Sequence, residues 1–124
     1  MNHSELKLSV FDSNIKQAIK KLQVREFEAA YMLIIDAMYI NPNTPEPHNL
    51  LGLWFEMTGK DQLARKHYRI AYVLDPEYKP ACNNLERIST LFITKEIPYD
   101  YGDEPEQIEC KEKRDIENVR KLKR

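Results

Sequence analysis

Offset by 34 residues, the sequence lies on itself. Ala30 falls on Ala64, Ile34 on Tyr68, Ala37 on Ala71, Ile40 on Leu74 and Pro42 on Pro76, and Asn41-Pro42 lands on Asp75-Pro76. The five single coincidences are all small, apolar or proline, so they define a period. A period of that length belongs to units of two helices and a turn, each of which buries its apolar face only by stacking on the next. Asn41-Pro42 and Asp75-Pro76 both read as helix stops. Proline lacks the amide hydrogen that a continuing helix needs, and it disfavours helical geometry in the residue before it. Thr58-Gly59 supplies a tight turn between helices. In a chain built this way, function is expected on a surface rather than in a catalytic pocket.

The second unit reads His48-x2-Leu51-Gly52-x2-Phe55, then Ala64-x3-Tyr68, Ala71 and Pro76. Gly52 and Ala64 would let two helices approach closely while Leu51, Phe55 and Tyr68 fill the space beside them, and Ala71 would seat the next helix. The pattern resembles the tetratricopeptide repeat (TPR) family almost position for position, with His48 where the family has its leading aromatic. The resemblance covers residues 11 to 94. It implies an all-α fold, a TPR-type helix-turn-helix solenoid of two repeats, 11–44 and 45–78, closed by a capping helix at 79–94. An extended segment and a charged C-terminal helix follow at 95–124.

The first repeat departs from the pattern in its first helix. There Gln17, Ala18 and Lys21 replace Leu, Gly and the aromatic, and Arg25 replaces the turn glycine. Its second helix keeps Phe27, Ala30, Ile34, Ala37 and Pro42. Such decay suits a terminal unit whose outer face meets water. A third unit starts at Lys79, with Cys82, Leu85 and Ile88 at the same spacing, but Glu86 replaces the small residue and Lys95-Glu96-Ile97-Pro98 interrupts it. In residues 1–10, Leu6, Leu8 and Val10 alternate with polar residues, which fits either an extended arm or the start of a longer first helix.

At 124 residues the chain is one domain by length. Two repeats and a cap sit near the roughly three stacked units that stability requires, so the tail or a second copy is expected to add support. The 19 basic and 20 acidic residues give a net charge of -1, which draws the chain neither to nucleic acid nor to an anionic membrane. No apolar run approaches the ~20 residues of a membrane span, and Met1 to Leu6 lack the basic and apolar regions of a leader, so a cytoplasmic location is expected. Cys82, in a predicted helix, and Cys110, in the charged tail, are expected to be reduced and unpaired.

No Gly-x-Gly-x-x-Gly, P-loop, His-Glu-x-x-His, Gly-x-Ser-x-Gly or Cys-x-x-Cys motif occurs, and only three glycines are present to cradle a phosphate. His3, His48 and His67 are scattered. His48 and Cys82 lie one repeat apart, on neighbouring helices, but a structural zinc site wants four ligands and helix packing is the expected role. The sequence therefore predicts no enzyme, no catalytic residues, no cofactor and no metal.

In TPR proteins the first helices of successive repeats line a concave groove in which partner peptides or helices lie. Carried onto this sequence, the resemblance puts Asp12, Ile15, Ile19, Leu22 and Gln23 in that groove from the first unit. Glu46, Asn49, Leu53, Glu56 and Met57 follow from the second, and Asn83, Arg87, Thr90 and Leu91 from the cap. The candidate partner-binding set is Ile15, Ile19, Leu22, Asn49, Leu53, Met57, Asn83 and Arg87. Ile15, Ile19 and Leu22 form one helical stripe that Leu53 and Met57 continue. Because Leu51, Phe55, Tyr68 and Ala71 already supply a core, this second stripe is left for a partner or for the chain's own tail. The clamp of Lys, Asn and Arg with which some TPR domains hold a C-terminal carboxylate is not matched. Ile15, Ile19 and Leu50 stand where polar or basic residues are expected, Pro80 replaces a lysine, and only Asn84 and Arg87 are polar. An amphipathic helix or an extended apolar segment is the expected ligand.

Residues 95–103 combine Pro98, Gly102, Tyr99 and Tyr101, which reads as an ordered extended segment whose tyrosines rest on the capping helix. From Glu106 to Arg124 the composition is helical, with a thin stripe of Ile108, Ile116, Val119 and Leu122 that could dock on the groove, on another subunit or on a partner. Glu109, Glu112, Asp115 and Glu117 precede the basic end, which favours a solvated helix over nucleic-acid binding. The function expected is that of a non-catalytic adaptor or scaffold that binds a segment of another protein. The alternatives are a self-assembling structural protein, homodimeric through its tail, and a chaperone-like holder of amphipathic segments.

Overall fold

A computed structural model describes residues 2–90 and 97–103. Among the described residues the fold is five helices and no strand: α1 (His3–Gln23), α2 (Phe27–Ile40), α3 (Pro45–Met57), α4 (Asp61–Leu74) and α5 (Lys79–Ser89). The predicted C-terminal helix and Cys110 lie outside these residues, as does the end of the segment assigned to the capping helix.

The sequence period recurs in the backbone. Shifting α2 by 34 residues gives the bounds of α4, the last residue of α1 falls on the last of α3, and the first of α3 falls on the first of α5. The caps repeat too. Asn41 and Asp75 are both extended, and their amides close on Ala37 and Ala71. Arg25 takes a left-handed φ of 61° where Gly59 has 85°, so the first unit makes the same turn with a residue that pays a steric penalty for it.

Turns of three or four residues reverse the chain between helices, and α1 packs along α2, α3 along α4. These pairs join through α2 with α3 and α4 with α5, and the first helices also meet, α1 with α3 and α3 with α5. Three of the pairs that repeat are fully buried: Ala30, Ile34 and Ala37 in α2, and Ala64, Tyr68 and Ala71 in α4. Alanines let the helix axes approach, and the larger side chain between them fills the seam. Trp54 ties the units together by donating from Nε1 to the Phe27 carbonyl at 2.8 Å, and Arg65 reaches from α4 to the Ile88 carbonyl at 3.0 Å, satisfying an end of α5.

The N-terminal residues continue α1. Asn2 and Glu5 form a capping box, with the Glu5 amide donating to Asn2 Oδ1 at 2.8 Å and the Asn2 amide to Glu5 Oε2 at 3.3 Å. Leu6, Leu8 and Val10 lie exposed on the resulting first turns.

Gly52 sits against the ring of Tyr68, and a methyl group there would overlap that ring. The ring has nowhere to move, since Tyr68 and its neighbour Ala64 have no exposure. Gly52→Ala is expected to cost about 1–3 kcal/mol of stability by overpacking, measured by urea unfolding followed through the fluorescence of Trp54.

Candidate functional site

The polar centre of the molecule lies on α3 and α5, the first helices of the second and third units. Asn49 and Asn83 are 34 residues apart and occupy the same position of their units; both are buried, as is Asn84. Buried amides cost about 1–3 kcal/mol each when left without partners, so the backbone has to bring groups to them. It does so with residues 97–103, which cross these helices without helix or strand geometry.

Asp100 is the focus. Its carbonyl accepts from Asn49 Nδ2 at 3.0 Å and from Asn84 Nδ2 at 2.8 Å, and its amide donates to Asn84 Oδ1 at 2.9 Å. Asn84 thus reads both main-chain groups of one residue, as a neighbouring strand would. The Asp100 carboxylate accepts from Asn83 Nδ2 at 3.0 Å through Oδ2 and from the Gly102 amide at 3.0 Å through Oδ1. Asn84 Nδ2 also donates to Asn49 Oδ1 at 2.7 Å, which fixes the two amides to each other.

Arg87 extends the network. Nη1 donates to Asn84 Oδ1 at 2.7 Å and to the Pro98 carbonyl at 3.0 Å, and the guanidinium lies 4.5 Å from the centre of the Tyr99 ring. On its other side Arg87 makes a two-pronged ion pair with Glu56, Nε to Oε2 at 3.1 Å and Nη2 to Oε1. The Tyr68 hydroxyl donates to the same carboxylate at 2.7 Å. Burial first, then the charge of Glu56, raises the Tyr68 pKa far above the ordinary phenol value, which keeps the hydroxyl a donor. Tyr78 is raised likewise, by burial and then by Glu46 and Asp100. Gly102, with φ 78°, lies on the Tyr78 hydroxyl, where any side chain would collide.

The candidate residues fall into two groups. Asn49, Asn83 and Arg87 come together on one face and hold the chain's own segment 97–103. Ile19, Leu22 and Leu53 are buried in the main apolar cluster, and Ile15, Met57 and Tyr101 pack partly buried against it. The stripe that looked left over is therefore continuous with the core, because α1 packs on α3 as well as on α2. Asp100, Gly102 and Tyr78 were not among the candidates. For Asp100 and Gly102 the signal was Tyr99-Asp100-Tyr101-Gly102 itself, a short polar residue between two aromatics with a glycine after the second. Tyr99 does rest on α5, through Arg87.

His48 meets His67 rather than Cys82. Their Nδ1 atoms are 3.4 Å apart, the rings are near parallel, and Phe55 stacks on His67 at 5.3 Å between centres. Burial lowers the pKa of both, and repulsion from His48 and then Lys66 helps to bring His67 down to about 4. Cys82, expected as a free thiol, is disulfide-bonded. Whether a thiol is bonded depends on the tertiary path of the chain, which no spacing motif announces. Among the described residues no group of three or more His, Cys, Asp or Glu is arranged to hold a metal ion, and no helix is long and apolar enough to cross a membrane.

No family model, no curated protein and no solved structure matches the chain.

Removing one side of the mostly buried ion pair strands the other charge, so Glu56→Ala is expected to cost about 3 kcal/mol in urea unfolding. His67 has a folded pKa below the 6.5 of the free side chain, so its contribution to stability is complete above pH 6.5 and is lost as the pH falls toward 4. Melting temperatures of the wild type and of His67→Phe, compared over that range, should move apart in favour of the variant as the pH falls.

Proposed function

We propose that this chain is a non-catalytic protein-interaction module of TPR type, whose groove along α1, α3 and α5 binds an extended segment of another protein. The observation that supports this reading is that Asn49, Asn84 and Arg87 are spent on main-chain groups of an extended segment, contacts any peptide backbone can supply. The 34-residue recurrence of helix ends, caps and buried residues supports the TPR architecture. An adaptor needs no reacting group, and Asn49, Asn84 and Arg87 each hold main-chain groups of Pro98 or Asp100. The cytosolic location read from the sequence is part of this proposal.

Selection from a random peptide library displayed on phage tests the reading with the full chain as bait. The expected result is a set of extended peptides that compete with one another and lose at least ten-fold in affinity to Asn84→Ala and to Arg87→Ala. Peptides that bind these variants as well as the wild type would put the site elsewhere.

A further inference from the structure

The segment that fills the groove also describes the ligand the groove is shaped for. We propose that Ile97–Asp103 is an exchangeable internal ligand. On this view the groove's partner is an extended protein segment with the same chemistry, aromatic-Asp-aromatic-Gly, which binds by displacing it. This rests on the groove reading above and adds to it the identity of the peptide.

The contacts separate into two kinds. Those from Asn49 and Asn84 to the Asp100 amide and carbonyl, and from Arg87 to the Pro98 carbonyl, hold backbone and would hold any extended chain. The others select. Asn83 donates to a carboxylate, and the amide two residues on donates to the same carboxylate, so an aspartate bends the segment while it binds. Arg87 presents its face to the aromatic ring before that aspartate, and the aromatic ring after it packs on the main apolar cluster. The position that follows sits on the Tyr78 hydroxyl with φ 78°, which only glycine meets without strain. Four consecutive residues are each read by a different group.

One feature makes exchange a matter of competition. The segment begins eight positions after Ser89, the end of α5, so its effective concentration is on the order of millimolar. A free peptide with equal contacts is then excluded until it reaches that level, or until the internal copy is weakened. Gly102→Val weakens it selectively: the new side chain meets the Tyr78 hydroxyl and opposes the positive φ, while Asn49, Asn83, Asn84 and Arg87 are unaltered.

The experiment is a fluorescence-anisotropy titration of a labelled, end-capped peptide with the sequence of residues 97–103 by the full-length wild type and by full-length Gly102→Val. The expected result is binding to the variant at least ten-fold tighter than to the wild type. That binding should fall at least ten-fold when the peptide's Asp100 is replaced by Ala or its Gly102 by Val. Binding no tighter than to the wild type, by a variant with wild-type helicity in circular dichroism, would overturn the proposal, as would indifference to the two peptide changes. A Gly102→Val chain that has lost its helicity would overturn it equally, because an exchangeable segment cannot be essential to the fold. A two-chain mass for the wild type in light scattering, dissolved by the free peptide, would assign the groove to a second copy instead. Library peptides that depend on Asn84 and Arg87 but lack the Asp and Gly would leave the groove reading standing and remove this inference alone.

Discussion

Tyr68 is where the packing of α3 on α4 meets the polar network of α3 and α5, and most of the structure depends on where it sits. Its ring fills the seam that Gly52 and Ala64 open between α3 and α4, with no exposure to water. Its hydroxyl emerges on the other side against Glu56. Glu56 in turn holds Arg87 on α5, Arg87 orients Asn84, and Asn84 grips Asp100. A close approach of two helix backbones is thereby transmitted through four side chains to the main chain of a segment 32 residues further along the sequence than Tyr68. If the ring were displaced, the carboxylate would lose a donor and the arginine its anchor, in surroundings where unpaired groups are costly.

The same chain of contacts explains why polar residues crowd the first-helix face. Asparagine is a poor choice for a helix interior on propensity alone, yet Asn49, Asn83 and Asn84 are all buried in helices. Each carries a donor and an acceptor on a short, stiff side chain, which suits it to matching the amide and carbonyl of an extended chain. Arg87 combines charge with a flat face, so it can satisfy a carboxylate edge-on while covering Tyr99. Lysine at that position would keep the charge and lose the geometry. The network holds the backbone of residues 98–100 at fixed distance from α3 and α5.

Much of the scaffold was legible from residue identity. The offset that aligns Ala30, Ile34 and Ala37 with Ala64, Tyr68 and Ala71 picks out six residues that are fully buried, and the two Asn/Asp-Pro pairs mark where α2 and α4 stop. The N-terminal residues were ambiguous because Leu6, Leu8 and Val10 alternate. The capping box of Asn2 and Glu5, a local signal, is what makes them helical. The Asn49, Asn83 and Arg87 part of the site could be reached through the period, since two of the three repeat at the same offset. The apolar part could not: Ile19, Leu22 and Leu53 have the same spacing whether they face a partner or a neighbouring helix, and only the contact of α1 with α3 decides between these.

Sequence alone determined the local terms: where helices begin and end, which faces are apolar, and that the units repeat. Propensity, proline geometry and periodicity are properties of residues near one another in the chain. Tertiary structure decided which surface each face meets. That His48 lies on His67, that Cys82 is bonded, and that Tyr-Asp-Tyr-Gly settles on the asparagines are outcomes of packing between residues 15 to 50 positions apart or more. Such pairings are selected by the energy of the whole fold, because a side chain's partner is fixed only when the helices carrying both have been brought together.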